Sequence, residues 1–332
     1  MEKLLTITVP TYNVEKYLRQ CLDSFCIEGI NDLLEVLIID DGSTDSSSEI
    51  AEEYGKKYPE QFRHIRKKNG GHGSTINCGI AEASGKYFKV VDGDDWVDKE
   101  AMKELLECLQ SSDSDVVYTN FYQVDDRTGK RKVEFEKPFP QVEYKKEYRF
   151  DEIKSNFFLK MHGYNIKTEI LRTLPAIDEH CFYVDMEYVL FPIPKIHTVT
   201  FLDLFVYQYR VGLPNQSMNI QRMKRNSENY DRVLNRLLQY YEQCRGQISI
   251  EKKAYMEHVL GRMVASRMKI YLSQPYGKDS RNAMRAFDRR VAESYPAVYR
   301  AVENKAVLWL RRSGYRLYGL ARLAYFWKER LS

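Results

Sequence analysis

The sequence lacks the patterns that would assign it to several large classes of protein. None of its six cysteines forms a C-x-x-C pair or a Cys/His cluster with zinc-ligand spacing, so we expect reduced cysteines and no disulfide framework. It has no run of 18 apolar residues, which argues against a membrane-spanning helix. The motif G-x-G-x-x-G, the P-loop and the motif G-x-S-x-G are also missing. Their absence argues against nicotinamide or flavin enzymes, P-loop enzymes and α/β-hydrolases.

Residues 1–10 show no charged region followed by an apolar segment and a small-residue cleavage site, so we expect no secretory signal. The expected location is cytoplasmic, with contact at the inner face of the membrane left open. The chain does contain enough apolar material for a full core, because 43% of its 332 residues are hydrophobic and 30% are charged. This length suggests two domains.

Charge is divided unevenly along the chain. The formal net charge is only +4, yet residues 221–332 contain 24 Lys and Arg against 10 Asp and Glu, whereas residues 1–220 contain 27 against 37. An acidic front part is therefore followed by a basic part, which suggests that the two do different jobs. From about 222, glycine and proline become scarce and apolar residues recur at helical spacing, so we place a domain boundary near 220.

Short apolar strands alternate with helical segments in the front part, which predicts a mainly parallel sheet covered on both faces. Strands are predicted at 4–9, 35–39 and 87–91. Polar segments follow them at 10–13, 40–45 and 92–95. Pro10 is expected to end the first strand and Asn13 to cap the helix after it. Because ligands bind beyond the carboxyl ends of such strands, the three polar segments should line one crevice.

The strongest local signal is the segment 92–95, Asp-Gly-Asp-Asp, which follows an apolar strand. Three carboxylates within four residues repel one another, and their burial is unfavourable unless a cation compensates the charge. A hard divalent ion prefers oxygen ligands and would also bind substrate phosphates. The alternative is a solvated acidic turn that leads into a helix capped by Asp98.

A second signal is the pair Asp40 and Asp41 at the end of the second strand. A carboxylate at this place can accept hydrogen bonds from a base or a ribose. The alternative is an Asx-turn and helix cap, a role that Ser43 or Asp45 would also fill.

Five motifs occur in the order and at the spacing of a known family. They are Val9-Pro10-Thr11-Tyr12-Asn13, Asp40-Asp41-Gly42-Ser43-Thr44-Asp45, Asn69-Gly70-Gly71, Asn77-x-Gly79 and Asp92-Gly93-Asp94-Asp95. In these motifs the sequence resembles glycosyltransferase family 2, the inverting nucleotide-sugar enzymes with the GT-A fold. The resemblance is specific over roughly residues 3–120, looser to about 220 and absent beyond. It implies an α/β GT-A catalytic domain at 1–220, followed by a basic, all-α domain at 221–332.

The resemblance implies which residues bind the nucleotide of the donor. Pro10, Tyr12 and Asp41 would frame the nucleotide, with Asp41 accepting a hydrogen bond from uracil. Asn69, Gly70 and Asp92 complete this nucleotide-binding set.

The resemblance also implies the metal motif. Asp92 and Asp94 would form it, and Asp94 would be the direct ligand of Mn²⁺ or Mg²⁺ that bridges to the diphosphate of a UDP-sugar. Asp95 would contact the sugar or the acceptor as a second catalytic residue.

One departure from the family concerns the segment before Gly79. Many members have Ala-Arg-Asn there, whereas this chain has Thr75-Ile76-Asn77. If the arginine normally steadies the donor, another residue must do so here. The nearby candidates are Lys67, Lys68 and His72.

Family members usually carry the catalytic base at the start of a helix after the sheet, often in a Glu-Asp pair. Val184 takes the place of the glutamate here, so the predicted general base is Asp185. The alternative for Asp185 is an ordinary helix cap, and its rivals as base are Asp178, Glu179 and Glu187.

Three further residues lie near segments that the family uses. Arg210, with Gln216 and Ser217, resembles a loop that closes on the donor, and a plain strand end followed by a turn is the alternative. His162 stands alone, so we expect a structural role for it.

The basic tail has several possible partners. Residues 303–331 interleave Lys and Arg with Trp, Leu and Ala, and most of the apolar positions fall on one helical arc. This segment could associate with an anionic membrane, dock onto another subunit or the acceptor, or pack on the chain itself. We expect oligomerisation and acceptor docking through the helices after 222, and no nucleic-acid binding, because no reading motif is visible.

We therefore predict a metal-dependent inverting glycosyltransferase. It would move a hexose or N-acetylhexosamine from a UDP-sugar to a hydroxyl of a growing glycan, on a glycoprotein or a surface polysaccharide. A sugar nucleotidyltransferase is one alternative, but it needs a glycine-rich, basic triphosphate loop after the first strand. A non-catalytic assembly subunit is the other, although it would not need Asp41, Asp92 and Asp94 intact.

Overall fold

The computed structural model of the protein describes residues 3–133, 142–153, 157–213, 220–274 and 277–331. The chain divides into two compact units, 1–214 and 215–332. The sequence places the boundary near 220, inside or next to a segment that lies outside the described residues. The functional assignment of the two domains therefore stays a prediction.

The described residues of the first unit form one sheet, whose longer strands come mainly from apolar runs of the sequence. The strands are β1 (Leu5–Thr11), β2 (Leu34–Asp40), β3 (Phe62–Arg66), β4 (Tyr87–Val90), β5 (Trp96–Val97), β6 (Val116–Asp125), β7 (Arg131–Lys132), β8 (Glu147–Arg149), β9 (Tyr164–Lys167) and β10 (Thr198–Val211). Along the sheet the order is β3-β2-β1-β4-β9-β6-β10-β5, with β7 paired to β6 and β8 to β10.

Pairing in the sheet is mainly parallel, as predicted. β2 pairs in parallel with both β1 and β3, β1 with β4, and β6 with β10. β9 runs antiparallel between β4 and β6. The α/β class expected from the alternation of strands and helices is thus confirmed, and the carboxyl ends of β1, β2 and β4 lie at one edge.

The helices of the first unit cover the sheet with their apolar sides. They are α1 (Glu15–Asp23), α2 (Ser47–Lys57), α3 (His72–Glu82), α4 (Lys99–Ser111), α5 (Thr168–Leu171) and α6 (Asp185–Leu190). Leu18 of α1 and Leu105 of α4 belong to the same buried cluster as Ile7 of β1. Asp98 caps α4 as expected, since its side chain accepts a hydrogen bond from the N–H of Ala101.

The prediction that Pro10 ends the first strand is wrong, because β1 continues to Thr11. The carbonyl oxygen of Pro10 accepts a hydrogen bond from the N–H of Gly93, so Pro10 faces the β4 side of the sheet. β4 ends at Val90, and the missing N–H of proline therefore leaves no ladder bond unmade.

The prediction that Asn13 caps the next helix is also wrong. Asn13 has a φ of +52°, a conformation that asparagine tolerates better than most residues. Its side-chain oxygen accepts a hydrogen bond from the N–H of Thr44 (2.8 Å), while α1 begins only at Glu15. The N–H of Glu15 donates to Asp45 instead (3.1 Å), so the loop after β2 serves the start of α1.

The second unit is helical throughout its described residues. Its helices are α7 (Ile220–Arg225), α8 (Ser227–Cys244), α9 (Ile250–Ser273), α10 (Lys278–Ser294), α11 (Pro296–Arg300), α12 (Lys305–Arg312) and α13 (Tyr318–Leu331). α9 is the central helix, because it packs against α7, α8, α10, α11 and α13. Two ion pairs tie the bundle, Arg267 with Asp231 (2.6 Å) and Arg311 with Asp288 (2.7 Å). No helix in the described part of either unit is both long and apolar enough to cross a bilayer.

Gly79 allows α3 to lie directly on β1. A Cβ at this position would meet Oγ1 of Thr8 at 1.9 Å. We expect Gly79→Ala to destabilise the protein by about 1–3 kcal/mol through overpacking, measured by urea unfolding.

The matched control is Gly55→Ala in α2, where the new Cβ would lie no closer than 3.8 Å to its neighbours. This change should leave stability unchanged or raise it by about 0.5–1 kcal/mol, because alanine is the better helix former. Equal destabilisation by both substitutions would contradict the packing argument.

Candidate functional site

The polar segments that follow β1, β2 and β4 meet at one edge of the sheet, as the parallel register requires. The N–H of Asp41 donates to the carbonyl oxygen of Thr11 (2.9 Å), and the N–H of Gly93 donates to that of Pro10 (3.1 Å). The segments after β2 and β4 are thus both hydrogen-bonded to the end of β1. Together they form one candidate site with β1 in its middle.

Asp41 organises one side of this site. Its side chain is almost fully buried, and Oδ1 accepts hydrogen bonds from the N–H of Gly70 (2.9 Å) and from Nζ of Lys67 (2.8 Å). Oδ2 accepts from the N–H of Gly71 (2.7 Å), and the main-chain oxygen accepts from the side chain of Asn69 (3.0 Å). One carboxylate therefore fixes the loop that the sequence assigns to the nucleotide.

The glycines of this loop, residues 67–73, are required by its close packing. Gly71 has a φ of +82°, which favours glycine. A Cβ at Gly70 would lie 2.6 Å from Oγ of Ser74, and one at Gly73 would lie 2.1 Å from the carbonyl oxygen of Asp178. We call residues 67–73 the glycine loop.

Lys67 was one candidate for the missing arginine, and it is engaged inside the glycine loop. Besides Asp41, its Nζ donates to Oγ of Ser74 (2.8 Å) and to the carbonyl oxygen of Lys68 (2.8 Å). The bonds of Asp41 and Lys67 give both residues a structural role. A contact of Asp41 with uracil stays a prediction.

The acidic turn after β4 forms the other side of the site. Asp92 and Asp94 are partly exposed and Asp95 is buried, and carboxylate oxygens of all three lie within 4.8 Å of one another. Burial, together with the charge of Asp92, raises the pKa of Asp94 to about 6. Crowded oxygen ligands with uncompensated charge are a donor set that suits Mn²⁺ or Mg²⁺.

Asp95 differs from its two neighbours in that the protein occupies both of its carboxylate oxygens. Oδ2 accepts a hydrogen bond from the hydroxyl of Tyr207 (2.6 Å), and Oδ1 accepts from the N–H of Arg210 (2.7 Å). Burial and the charges of Asp94 and Asp92 raise its pKa well above the usual value. Asp95 therefore ties the acidic turn to β10, and its direct part in catalysis stays a prediction.

The side chain of Arg210 also binds the acidic turn. Its Nε donates to the carbonyl oxygen of Asp94 (2.7 Å), and its other nitrogens bind Asp126 (2.7 Å) and Gln20 (2.6 Å). The guanidinium also stacks on the rings of Tyr17 and Trp96, at 4.6 Å from each ring centre.

The expected donor-closing loop begins at this residue. Arg210 lies near the end of β10, as expected for the alternative in which this segment is a plain strand end. Gln216 and Ser217, which would complete the loop, lie outside the described residues.

His72 connects the two sides of the site. It is the first residue of α3 and follows Gly71 directly, and its Nε2 lies 2.8 Å from Oδ1 of Asp92. Burial works to lower the pKa of His72, but the charge of Asp92 and the hydrogen bond to it raise it above the usual value, with smaller contributions from Asp185 and Asp94. His72 therefore stands among three carboxylates as a candidate cation.

Asp185 begins α6, as the sequence predicts. Burial is the main cause that raises the pKa of its carboxyl, while the charge of His72 works in the opposite direction. Two residues in the segment just before Asp185 have positive φ, His180 (+51°) and Tyr183 (+69°). Non-glycine residues with positive φ are uncommon and concentrate at functional sites.

The segment that leads to Asp185 is held by side chains far away in sequence. The amide of Asn77 pairs with both main-chain groups of Ile177, at 2.8 Å each. Glu187 is fully buried and accepts a hydrogen bond from the N–H of Asp178 (2.8 Å). Glu187 thus serves the backbone of this segment, which argues against it as the base, and the assignment of Asp185 stays a prediction.

Tyr12 and Asn69 are exposed at the rim of the site, whereas Pro10 and Gly70 are buried in it. An exposed Tyr12 (51% exposed) at a strand end is available to contact a planar base. Their contacts with a nucleotide stay predictions.

Sequence reasoning missed the residues that position the acidic turn. Tyr207 of β10 binds Asp95 in the turn, and Gln20 of α1 binds Arg210, which in turn binds Asp94. No local motif marks them. The nearest signal is the polar run at the end of β10, where a buried strand ends in Tyr207-Gln208-Tyr209-Arg210.

Comparison with known proteins assigns the family. The model of glycosyl transferase family 2 matches residues 6–171, which is half of the chain. The chain therefore belongs to glycosyl transferase family 2. EpsJ of Bacillus subtilis, an uncharacterized glycosyltransferase, is 39% identical over 123 residues, which cover 37% of this chain and 35% of EpsJ. The match thus spans about a third of the length of that relative.

Solved structures confirm the GT-A fold. Residues 1–349 of TarS from S. aureus, in complex with UDP, superpose with a TM-score of 0.67 at 19% identity, covering 99% of this chain and 92% of that one. The complex of the same TarS fragment with UDP-GlcNAc gives a TM-score of 0.57 at 18% identity, covering 94% and 92%.

Asp41 offers a direct test of the glycine loop. Asp41→Asn removes the charge opposite Lys67 and replaces one acceptor of main-chain N–H bonds by a donor. We expect it to lower the free energy of unfolding by about 1–3 kcal/mol. Asp113→Asn is the control, because Asp113 also pairs with lysines but is 84% exposed; it should leave the unfolding midpoint unchanged. An Asp41→Asn protein of wild-type stability would contradict the structural role.

Lys89 of β4 lies behind the acidic turn and is fully buried. Its Nζ donates to the carbonyl oxygen of His162 (2.7 Å), and no carboxylate among the described residues pairs with it. Burial lowers the pKa of Lys89 to about 7. Burial likewise lowers that of His162 to about 3, and the His162 ring stacks on Phe121 at 4.8 Å, which agrees with the structural role expected for it.

The burial of Lys89 predicts that the stability of the protein depends on pH. The folded protein binds fewer protons than the unfolded one between pH about 7 and about 10.4, so its stability should fall as pH drops through that window, by at most about 1.4 kcal/mol per unit. Lys89→Met should remove this contribution. Denaturant unfolding of both proteins from pH 7 to 10 measures it, and parallel curves would rule it out.

Proposed function

We propose that the protein is a metal-dependent inverting glycosyltransferase that uses a UDP-sugar. It transfers a hexose or N-acetylhexosamine to a hydroxyl of a growing glycan, on a glycoprotein or a surface polysaccharide. The observation that carries the proposal is the arrangement around His72. This residue bonds Asp92 of the acidic turn, belongs to the glycine loop held by Asp41, and is close enough to Asp185 for their charges to interact.

The donor is proposed from the site and from the neighbours. The glycine loop, ordered by Asp41, and the exposed ring of Tyr12 form the nucleotide side of the site. Structures of S. aureus TarS with UDP and with UDP-GlcNAc have the same fold, which supports a uridine nucleotide as the donor carrier. Which sugar it carries depends on single contacts in the pocket.

A divalent cation fits the acidic turn because two partly exposed carboxylates, Asp92 and Asp94, present hard oxygen ligands close to each other. Such a cation would act as a Lewis acid that neutralises the charge developing on the leaving diphosphate. Tyr207 and Arg210 fix the backbone of the turn and so keep Asp92 and Asp94 in place. Mn²⁺ and Mg²⁺ both suit these ligands.

Asp185 is the proposed general base. The raised pKa of Asp185 favours proton uptake, because a general base is most effective when its pKa lies near the working pH. Asp185 takes the proton of the acceptor hydroxyl, whose oxygen attacks the anomeric carbon. The bond to the diphosphate breaks on the opposite face, so the configuration inverts and no covalent intermediate forms.

Two further parts of the proposal concern the acceptor and the assembly state. Family membership supports a glycan acceptor, and the helical second unit is the proposed place of self-association. Sedimentation of the purified chain measures the oligomeric state directly.

Two substitutions separate donor binding from chemistry. Asp94→Asn should abolish the part of UDP-sugar binding that depends on Mn²⁺, seen as a loss of the metal-dependent rise in melting temperature. Asp185→Asn should keep that rise but lower the transfer rate by about 10²–10⁴-fold, as expected for loss of a general base. Binding is measured by thermal shift with a panel of nucleotide sugars, and turnover by release of UDP.

The exposed substitution Asp113→Asn serves as the control and should match wild type in both assays. Wild-type turnover in Asp185→Asn would remove Asp185 as the base. If no nucleotide sugar shifts the melting temperature of the wild-type chain with either metal, the transferase proposal fails and the non-catalytic alternative takes its place.

A further inference from the structure

Exposed large apolar side chains are confined to a few places in the described residues. Tyr12 lies at the rim of the candidate site, Phe182 lies in the segment that leads to Asp185, and Ile250 stands alone at the start of α9. The remaining three are Trp309 (63% exposed), Leu320 (66%) and Leu323 (54%). All three belong to α12 and α13, so this pair of helices is the one part of the second unit's described surface with several of them.

α12 has two distinct faces. Val307 and Leu310 are buried within the second unit, and Arg311 is bonded to Asp288 there. Lys305, Trp309 and Arg312 are spaced by four and three residues and are exposed. One face of α12 therefore serves the helical bundle, while the other presents an indole between two cations.

α13 continues this pattern after a tight turn. Gly314 and Tyr315 both have positive φ and connect the two helices. Tyr318 at the start of α13 is buried, whereas Leu320, Leu323 and Ala324 are exposed at helical spacing. The start of α13 thus presents an exposed aliphatic face, and it follows the aromatic and basic face of α12 directly in the chain.

The charged residues of α12 and of α13 up to Lys328 are all basic. From Asn304 to Lys328 the sequence contains six Lys and Arg and no Asp or Glu. Lys305, Arg312 and Arg316 are exposed and have no ion-pair partner among the residues that the structure describes. Their charge is therefore not needed inside the second unit.

We propose that α12 and α13 bind the surface of an anionic lipid bilayer, with Trp309, Leu320 and Leu323 inserted at the interface and the unpaired cations at the headgroups. Amphipathic helices with a basic polar face and Trp or Leu on the other bind bilayers in this way. A second copy of the chain that bound through the same face would bring like charges together, because residues 304–328 contain no Asp or Glu, and such contacts are unfavourable. This proposal does not depend on the catalytic one.

Vesicle flotation with the full chain tests the proposal. The protein should float with phosphatidylcholine vesicles that contain phosphatidylglycerol, and not with phosphatidylcholine alone, and added salt should release it. Trp309→Ser should reduce the floating fraction by about tenfold or more, and so should Arg312→Glu combined with Arg316→Glu.

Matched controls are available in the same unit. Arg289→Glu combined with Arg300→Glu makes the same change in net charge at exposed positions elsewhere, and Ile250→Ser removes an exposed apolar side chain from α9. Both should float like wild type, and all variants should retain their melting temperature. Equal loss in the controls would overturn the proposal, since binding would then follow net charge alone.

A second measurement distinguishes the competing occupants. Trp309→Ser should leave the sedimentation coefficient unchanged in the absence of lipid. If it converts an oligomer into a monomer, the helices bind another copy and the lipid proposal is wrong. Failure to float with anionic vesicles while nucleotide-sugar binding is intact would overturn this inference and leave the proposed transferase untouched.

Discussion

Repulsion among carboxylates at the carboxyl edge of the sheet is the constraint on which the site depends. Asp92, Asp94, Asp95 and Asp185 all lie there, and burial makes the charged form of each unfavourable unless a partner compensates it. The protein meets this demand unequally. Asp92 has His72, and Asp95 has two neutral donors from β10. Burial and the charge of Asp92 raise the pKa of Asp94 to about 6, and burial with the charges of Asp94 and Asp92 raises that of Asp95 well above its usual value.

The same residue type therefore takes different roles at neighbouring strand ends. The carboxylate of Asp41 accepts hydrogen bonds from two main-chain N–H groups and a lysine, so its charge is satisfied by the protein that it organises. The carboxylates of Asp92 and Asp94 are less buried and bind fewer donors, so their charge remains available to a ligand. Burial and donor number, rather than residue identity, separate a structural aspartate from a ligand-binding one.

Local signals of the sequence predict much of the fold and part of the site. The apolar runs that form β1, β2 and β4 and the polar segments after them are short-range patterns, and parallel pairing then brings those segments together. The contacts that aim the side chains are long-range. Arg210 binds the acidic turn from 116 residues away, and Asn77 holds Ile177 from 100 residues away. No single-sequence pattern encodes such pairs. The errors at Pro10 and Asn13 have the same origin, since neighbouring strands and loops decide what each backbone group binds.

The glycine loop contains both local signals and long-range contacts in one stretch of chain. Gly70 and Gly71 donate to Asp41, His72 bonds Asp92, and Gly73 lets the segment before Asp185 approach α3. A shift of this loop would therefore move the nucleotide side, the acidic turn and the candidate base together. Because Asn77 on the same helix also fixes Ile177, the glycine loop and the segment before Asp185 are held by the same helix. Of the three candidates for the role of the arginine that the family resemblance implies near position 76, His72 lies four residues earlier on α3 and contacts Asp92 of the acidic turn; that it takes this role stays a prediction.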